Sequence, residues 1–191
     1  MLFGYSHKSG SIAENKEKKM TRELMFEQAK SIEDHPKFKT WMKLQVGTCK
    51  NARELLTRIK RSGFQVTDWA AAGMIHGMTI SSTESEIKIV KISARDLGFK
   101  KAASRAAIYD CARGHGLYLV PAEVGPQLRI VYRDQPLGEW LLMGMEPIAS
   151  GVGTSDIFVL ASNLGALNIG TAFSSPEHKW APSTRWIFTQ D

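Results

Sequence analysis

The stretch that decides the fold is residues 121–148, PAEVGPQLRIVYRDQPLGEWLLMGMEPI. It places two apolar segments on either side of the short polar turn DQPLG. Apolar runs separated by a turn that contains Pro and Gly are typical of a β-hairpin. In the register that this turn predicts, Arg133 pairs with Glu139, and Tyr132 pairs with Trp140, across the two strands. We therefore expect a β-hairpin in this segment.

Arg129 differs from the other charged residues of the segment, because the predicted register surrounds it with apolar neighbours. A guanidinium buried among aliphatic side chains is costly unless an anion or other acceptors meet it. Glu123 and Glu146 are the nearest acidic residues in this register. Two interpretations stay open, a structural ion pair or a pocket in which Arg129 binds a carboxylate or phosphate. The candidate ligand-binding residues are therefore Glu123, Arg129 and Glu146.

Hydrophobic periodicity on either side of this segment predicts further helices and strands. The predicted helices cover residues 21–34, 51–62, 67–74 and 104–111. The predicted strands cover residues 38–46, 86–93, 117–120, 156–161, 167–173 and 185–189. Strands interleaved with a few helices, without regular β-α-β alternation, favour an α+β fold. We expect a mainly antiparallel sheet in the C-terminal half, covered by helices from the N-terminal half.

The composition predicts one principal domain. The chain has 191 residues, of which 43% are hydrophobic and 23% charged, as in an ordinary globular protein. Residues 1–19 are rich in Gly, Ser, Lys and Glu, which predicts a mobile N-terminal arm. Residues 20–191 are expected to form a single domain, in which residues 20–95 could be a sub-lobe.

The sequence contains no sign of a leader, a membrane span or a metal centre. No apolar run approaches the roughly 20 residues that a membrane helix needs, and the N-terminus lacks a signal-peptide core. Cys49 and Cys111 stand far apart, and the five histidines have no ligand spacing. We therefore expect a soluble cytoplasmic protein without metal or cofactor.

The positive charge is concentrated in the N-terminal half. Residues 1–100 carry 18 Lys and Arg against 11 Asp and Glu, whereas the whole chain has a net charge of +6. Such a field favours anionic partners. The helix at residues 51–62 and the helix after it are separated by the four residues 63–66, which permits a helix-turn-helix. The candidate nucleic-acid-binding residues on this helix are Arg53, Arg58, Lys60 and Arg61.

The hairpin segment also carries a resemblance. Together with FKTWMKLQVGT, SGFQVTDWA and ISARDLGFKKAASRAAIYDCARGHGL, it resembles an uncharacterised bacterial family of small hypothetical proteins. The resemblance runs from about Phe38 to the C-terminus. It implies no activity, ligand or catalytic residue, and residues 149–182 depart from the Asp-rich, Trp-containing loop that family members tend to carry.

These patterns favour a non-catalytic intracellular binding protein that takes a protein partner or a small anionic ligand. The first alternative is a nucleic-acid-binding module that uses the basic helix at residues 51–62. The second is an enzyme of unassigned reaction class with a carboxylate and arginine site around Arg129. No G-x-S-x-G nucleophile motif or phosphate-binding glycine loop supports a specific reaction.

Overall fold

The strands in the described part of the chain form a seven-stranded sheet and a separate two-stranded sheet. The computed structural model describes residues 38–151, 153–163 and 165–191. The strands are β1 (Met42–Val46), β2 (Gln65–Val66), β3 (Ser85–Ser93), β4 (Ala103–Ser104), β5 (Trp140–Met143), β6 (Asp156–Asn163), β7 (Ala166–Phe173), β8 (Lys179–Trp180) and β9 (Arg185–Gln190). The helices are α1 (Ala52–Arg61), α2 (Asp68–Gly77), α3 (Arg105–Gly114) and α4 (Val124–Val131). The predicted arm at residues 1–19 and the predicted helix at residues 21–34 lie outside the described residues.

The large sheet is mixed, with the strand order β1-β3-β9-β5-β6-β7-β2. Most neighbouring strands are antiparallel, but β5 runs parallel to β9, and β2 runs parallel to β7. The prediction of a mixed α and β protein is confirmed, whereas the sheet is not purely antiparallel. The parallel pair of β5 and β9 arises because β9 inserts between β3 and β5. Parallel neighbours need a long crossover connection, which the chain between β5 and β9 supplies.

Three helices begin where their capping residues predict. The side chains of Asn51, Thr67 and Ser104 each accept a hydrogen bond from the backbone N–H three residues further on, at the starts of α1, α2 and α3. Each such cap typically stabilises a helix by about 1 kcal/mol. Gly63 has a φ of 84°, which fits the predicted glycine stop after α1. Local signals therefore predicted these three helices correctly.

The predicted hairpin at residues 121–148 is wrong. Its first half forms helix α4, and only Trp140–Met143 forms a strand. Strand β5 pairs with β6 and β9, so Tyr132 and Arg133 have no strand partner in it. The predicted strand at residues 117–120 is reduced to one isolated bridge between Tyr118 and Thr189.

The sequence did not predict helix α4 because nearly all of its faces are buried. Val124 to Arg129 are all buried, so no polar face reveals a helical period, and a short apolar run of this kind is also typical of a buried strand. Pro126 is compatible with the first turn of a helix, where its missing N–H has no intrahelical acceptor. A Cβ at Gly125 would lie 2.9 Å from the Cβ of Phe158, so glycine allows α4 to pack closely on β6.

The four helices of the described residues are short, with ten residues each in α1, α2 and α3 and eight in α4. Among the residues that the structure describes, none of the helices combines the length and the apolar content needed to cross a lipid bilayer. The described residues belong to one compact unit, Phe38–Asp191.

Glu123 connects the start of α4 to two loops of the sheet. Its side chain is fully buried, and its carboxylate accepts hydrogen bonds from the backbone N–H of Gly47 at 2.9 Å and of Ser81 at 2.8 Å. Gly47 follows β1 with a φ of 74°. The carboxylate thus satisfies two backbone donors that would otherwise lack these acceptors.

We predict that Glu123→Ala lowers the free energy of unfolding by about 3 kcal/mol, because it leaves two backbone donors without their charged acceptor. Urea denaturation monitored by circular dichroism measures this change. The matched control is Glu146→Ala, at an exposed glutamate, for which we expect a change within about 0.5 kcal/mol. Equal effects of the two substitutions would contradict the role given to Glu123.

Candidate functional site

Arg129 lies inside the protein and contacts neutral acceptors. Its side chain is fully buried. Nη1 donates to Oε1 of Gln135 at 2.5 Å, Nη2 donates to the carbonyl oxygen of Tyr132, and the guanidinium lies 5.0 Å from the ring centre of Phe64. Burial lowers the pKa of Arg129 to about 10. The two terminal nitrogens therefore have acceptors inside the protein, whereas the buried Nε has no hydrogen-bond partner among the described residues.

The three candidate ligand-binding residues do not come together. Glu123 is occupied by two backbone N–H groups, Arg129 contacts the segment after α4, and Glu146 is exposed beyond β5. The partners of Arg129 are thus a glutamine side chain and a backbone carbonyl. The sequence interpretation had considered only a carboxylate or a bound anion.

Gln135 links Arg129 to the sheet through hydrogen bonds. Its Nε2 donates to the carbonyl oxygens of Glu139 at 3.0 Å and of Leu160 at 3.2 Å. The side chain of Gln135 is itself buried. Residues 132–139 are thereby attached to both α4 and β6, which fixes the positions from which the side chains of Tyr132 and Glu139 extend.

The carboxylate of Glu139 is the centre of a cluster of donors. Its Oε2 accepts from the hydroxyl of Tyr132 at 2.7 Å, and its Oε1 lies 3.2 Å from Nζ of Lys91 and 2.8 Å from Nη1 of Arg185. Only 6% of the Glu139 side chain is exposed. Nζ of Lys91 also lies 4.4 Å from the ring centre of Trp41, a cation–π contact. We call Lys91, Tyr132, Glu139 and Arg185 the Glu139 cluster.

The Glu139 cluster holds its charges in place. Burial, followed by the hydrogen bond to Glu139, raises the pKa of Tyr132 above its usual value near 10. Tyr132 therefore keeps its proton at neutral pH and acts as a donor rather than as a base. Lys91 and Arg185 supply positive charge from β3 and β9. The arrangement is suited to positioning cations, not to exchanging protons.

An open cavity of about 500 Å³ lies beside the cluster. We call it the basic pocket, and it is lined by Lys91, Ile92, Ser93, Arg95, Asp96, Ser183 and Arg185. Asp96 is already engaged, since its Oδ2 accepts from both the backbone N–H and the hydroxyl of Ser93 at 2.7 Å. Three cations thus face the pocket, whereas its nearest carboxylates are occupied by donors of the protein.

The candidate nucleic-acid residues of α1 divide between two places. All four are exposed. Arg53, Arg58 and Arg61 line one cavity, whereas Lys60 lines another, beside β2 and β7. The predicted turn of the helix-turn-helix is not a free connection, because Gln65–Val66 forms strand β2 and pairs with β7. The turn prediction is wrong because β7 offers backbone hydrogen-bond partners to residues 65 and 66, which therefore join the sheet as a strand.

Neither the cysteines nor the histidines build a second site in the described part of the chain. No group of three His, Cys, Asp or Glu side chains there is arranged to hold a metal ion. Sγ of Cys111 lies 3.8 Å from Nδ1 of His115, but that nitrogen lies 2.8 Å from the Cys111 carbonyl oxygen. Because a carbonyl only accepts, Nδ1 carries the proton and does not take one from the thiol. Burial also raises the pKa of Cys111.

Sequence reasoning missed the Glu139 cluster because long-range pairing assembles it. The pairing of β3 with β9 places Lys91 opposite Ile187 and Ser93 opposite Arg185. One local signal was present, the lysine at position 91 within the otherwise apolar run IVKI. A cation between buried strand residues indicates a partner, although the sequence does not say which one.

We predict that Tyr132→Phe lowers the free energy of unfolding by about 1.5 kcal/mol at pH 7, because a donor to a buried carboxylate is lost. Urea denaturation measures it, with exposed Tyr118→Phe as the control, expected within about 0.5 kcal/mol. The raised pKa of Tyr132 adds stability that is full below pH 10 and falls as the pH rises above it. Tyr132→Phe should therefore flatten this alkaline fall relative to the wild type. An unchanged alkaline slope would contradict the buried position of the hydroxyl.

Comparison of the chain with protein-family models, curated proteins and solved structures gave no match. The resemblance of the segment at residues 121–148 to an uncharacterised bacterial family therefore stays an expectation.

Proposed function

We propose that this protein is a non-catalytic binding protein whose basic pocket takes the phosphate group of a ligand. The observation that carries the proposal is the convergence of Lys91, Arg95 and Arg185 on one open cavity. The hydroxyl of Ser183 lines the same cavity, whereas the hydroxyl of Ser93, which also lines it, already donates to Asp96. Cationic and hydroxyl donors around a space of this size match the several acceptor oxygens of a phosphate.

Preorganisation by Glu139 supports the proposal. Lys91 and Arg185 are long side chains that would lose rotamer freedom on binding an anion. The buried carboxylate already holds both of them, at 3.2 Å and 2.8 Å from its Oε1. Arg185 is 53% exposed at its side chain, and a guanidinium has five N–H donors, so it keeps donors that face the cavity.

Arg95 supports the proposal in a different way. Its side chain is exposed and lines the basic pocket, and no ion pair to it is found within residues 38–151, 153–163 and 165–191. An exposed cation costs little to keep in water. It therefore gains a strong charge-assisted hydrogen bond on contact with a phosphate, without breaking an internal one.

The first test is calorimetric titration with pyrophosphate at low ionic strength. We expect the wild type to bind and Arg95→Gln to bind about tenfold more weakly, which corresponds to about 1.4 kcal/mol. The control is Lys100→Gln, which removes the same charge from an exposed position that does not line the basic pocket. It should bind within about twofold of the wild type.

Three results would contradict the proposal. The first is no heat of binding for the wild type at low salt. The second is an equal loss of affinity in Arg95→Gln and Lys100→Gln, which would indicate general charge attraction. The third is tighter binding of citrate than of pyrophosphate, which would replace the phosphate group with a carboxylate.

A further inference from the structure

We propose that the phosphate held in the basic pocket belongs to a single strand of nucleic acid, whose bases stack on Trp140 and Trp69. This inference rests on the proposed function and names the class of its ligand. It also moves most of the nucleic-acid interface from helix α1 to the strand ends of the large sheet, and keeps only Lys60 of α1.

The basic pocket is one end of a longer groove. It shares Ser183 and Arg185 with a second cavity of about 570 Å³, which also contacts Trp140 and Trp180. The second cavity shares Trp140 with a third cavity of about 660 Å³, which reaches Trp69. We call the three together the tryptophan groove. Because neighbouring cavities share lining residues, one ligand can contact all three.

The tryptophan groove follows the ends of five neighbouring strands rather than one face of the sheet, because the register directs Lys91 and Arg185 to one face and Trp140 and Asn168 to the other. Lys91 lies on β3, Arg185 on β9, Trp140 on β5, Asn163 on β6 and Asn168 on β7, and these strands are consecutive in the sheet order. Four interstrand spacings of about 4.8 Å give a span of roughly 19 Å. A groove of that length fits an extended chain of several units better than a compact metabolite.

Two tryptophans in the tryptophan groove expose a large part of their rings. Trp140 is 52% exposed and Trp69 is 59% exposed. The ring of Trp69 lies against Gly151, where an added Cβ would be 2.5 Å from Cζ3, so a small neighbour allows this close packing. Half-exposed indoles in a concave surface are typical platforms for stacking unpaired bases, since every base has an aromatic face.

The charges of the tryptophan groove favour a polyanion over a neutral chain such as an oligosaccharide. Lys91, Arg95 and Arg185 line one end and Lys60 lines the other, against two carboxylates, Asp96 and Glu139, that already accept from donors of the protein. A ligand with a negative charge in every repeat meets cations at both ends, whereas a neutral sugar gains nothing from them. Tracks of cations interleaved with aromatic rings are the usual means of binding single strands without sequence preference.

Polar side chains at the Trp69 end complete the match to bases. Gln65, Asn163, Asn168 and Thr171 line that cavity. Amide side chains both donate and accept hydrogen bonds, as base edges do. A paired duplex does not expose its bases for stacking on a side chain, so the same features select unpaired strands.

The test is fluorescence anisotropy with labelled oligothymidylate and oligouridylate of about twelve nucleotides, a length in the range that single-strand-binding folds cover. Inorganic polyphosphate, which has no bases, competes in a parallel arm. We expect Trp140→Ala to weaken both oligonucleotides by at least about fivefold and to leave polyphosphate binding within about twofold. Trp69→Ala should act in the same direction.

The matched control is Phe173→Ala, because Phe173 is 56% exposed but does not line the tryptophan groove. It should leave the affinity for oligonucleotides within about twofold. Arg95→Gln should weaken all three ligands and reduce the slope of log affinity against log salt by about 0.7.

The outcomes separate this inference from the proposed function. If Arg95→Gln weakens polyphosphate while Trp140→Ala and Trp69→Ala have no more effect than Phe173→Ala, the nucleic-acid inference is overturned and phosphate binding stands. If Arg95→Gln changes no ligand, both are overturned. If Arg53→Gln weakens the oligonucleotides and Trp140→Ala does not, helix α1 is the interface, and the inference is likewise overturned.

Discussion

The buried carboxylate of Glu139 is the interaction on which the rest of the candidate site depends. Removing a carboxylate from water costs several kcal/mol unless donors surround it. Here a hydroxyl, an ammonium and a guanidinium supply those donors, from the end of α4, from β3 and from β9. One side chain thus joins three parts of the fold, and its own requirement for donors places two cations beside an open cavity.

Arg129 stabilises this arrangement from the opposite side. It is a fully buried cation whose acceptors are Gln135 and a backbone carbonyl. Gln135 in turn reaches the backbone of Glu139 and of β6. Arg129 is therefore best understood as a positioning residue, because it fixes the segment that carries Glu139 without facing the cavity. Arg129, the buried charge that the sequence indicated, therefore acts on the site only through Gln135.

Local chemistry was predictable from the sequence, and distant pairing was not. Capping residues such as Asn51 and Ser104 act within four residues, so the sequence contains the whole signal. Helix α4 was mistaken for a strand because burial on all sides hides its period. The site was missed because Glu139 meets residues 48 and 46 positions away in sequence, Lys91 and Arg185, only after β3, β9 and β5 have aligned.

The central claim is that the cations held by Glu139 form an anion site where β3 ends and β9 begins. Nuclear magnetic resonance titration of the isotope-labelled protein with pyrophosphate tests it most directly, because it locates the contact residue by residue. The account predicts the largest shifts at Ser93, Arg95 and Arg185, together with the Nζ of Lys91. Shifts concentrated on α1, or spread evenly over the basic surface, would contradict it.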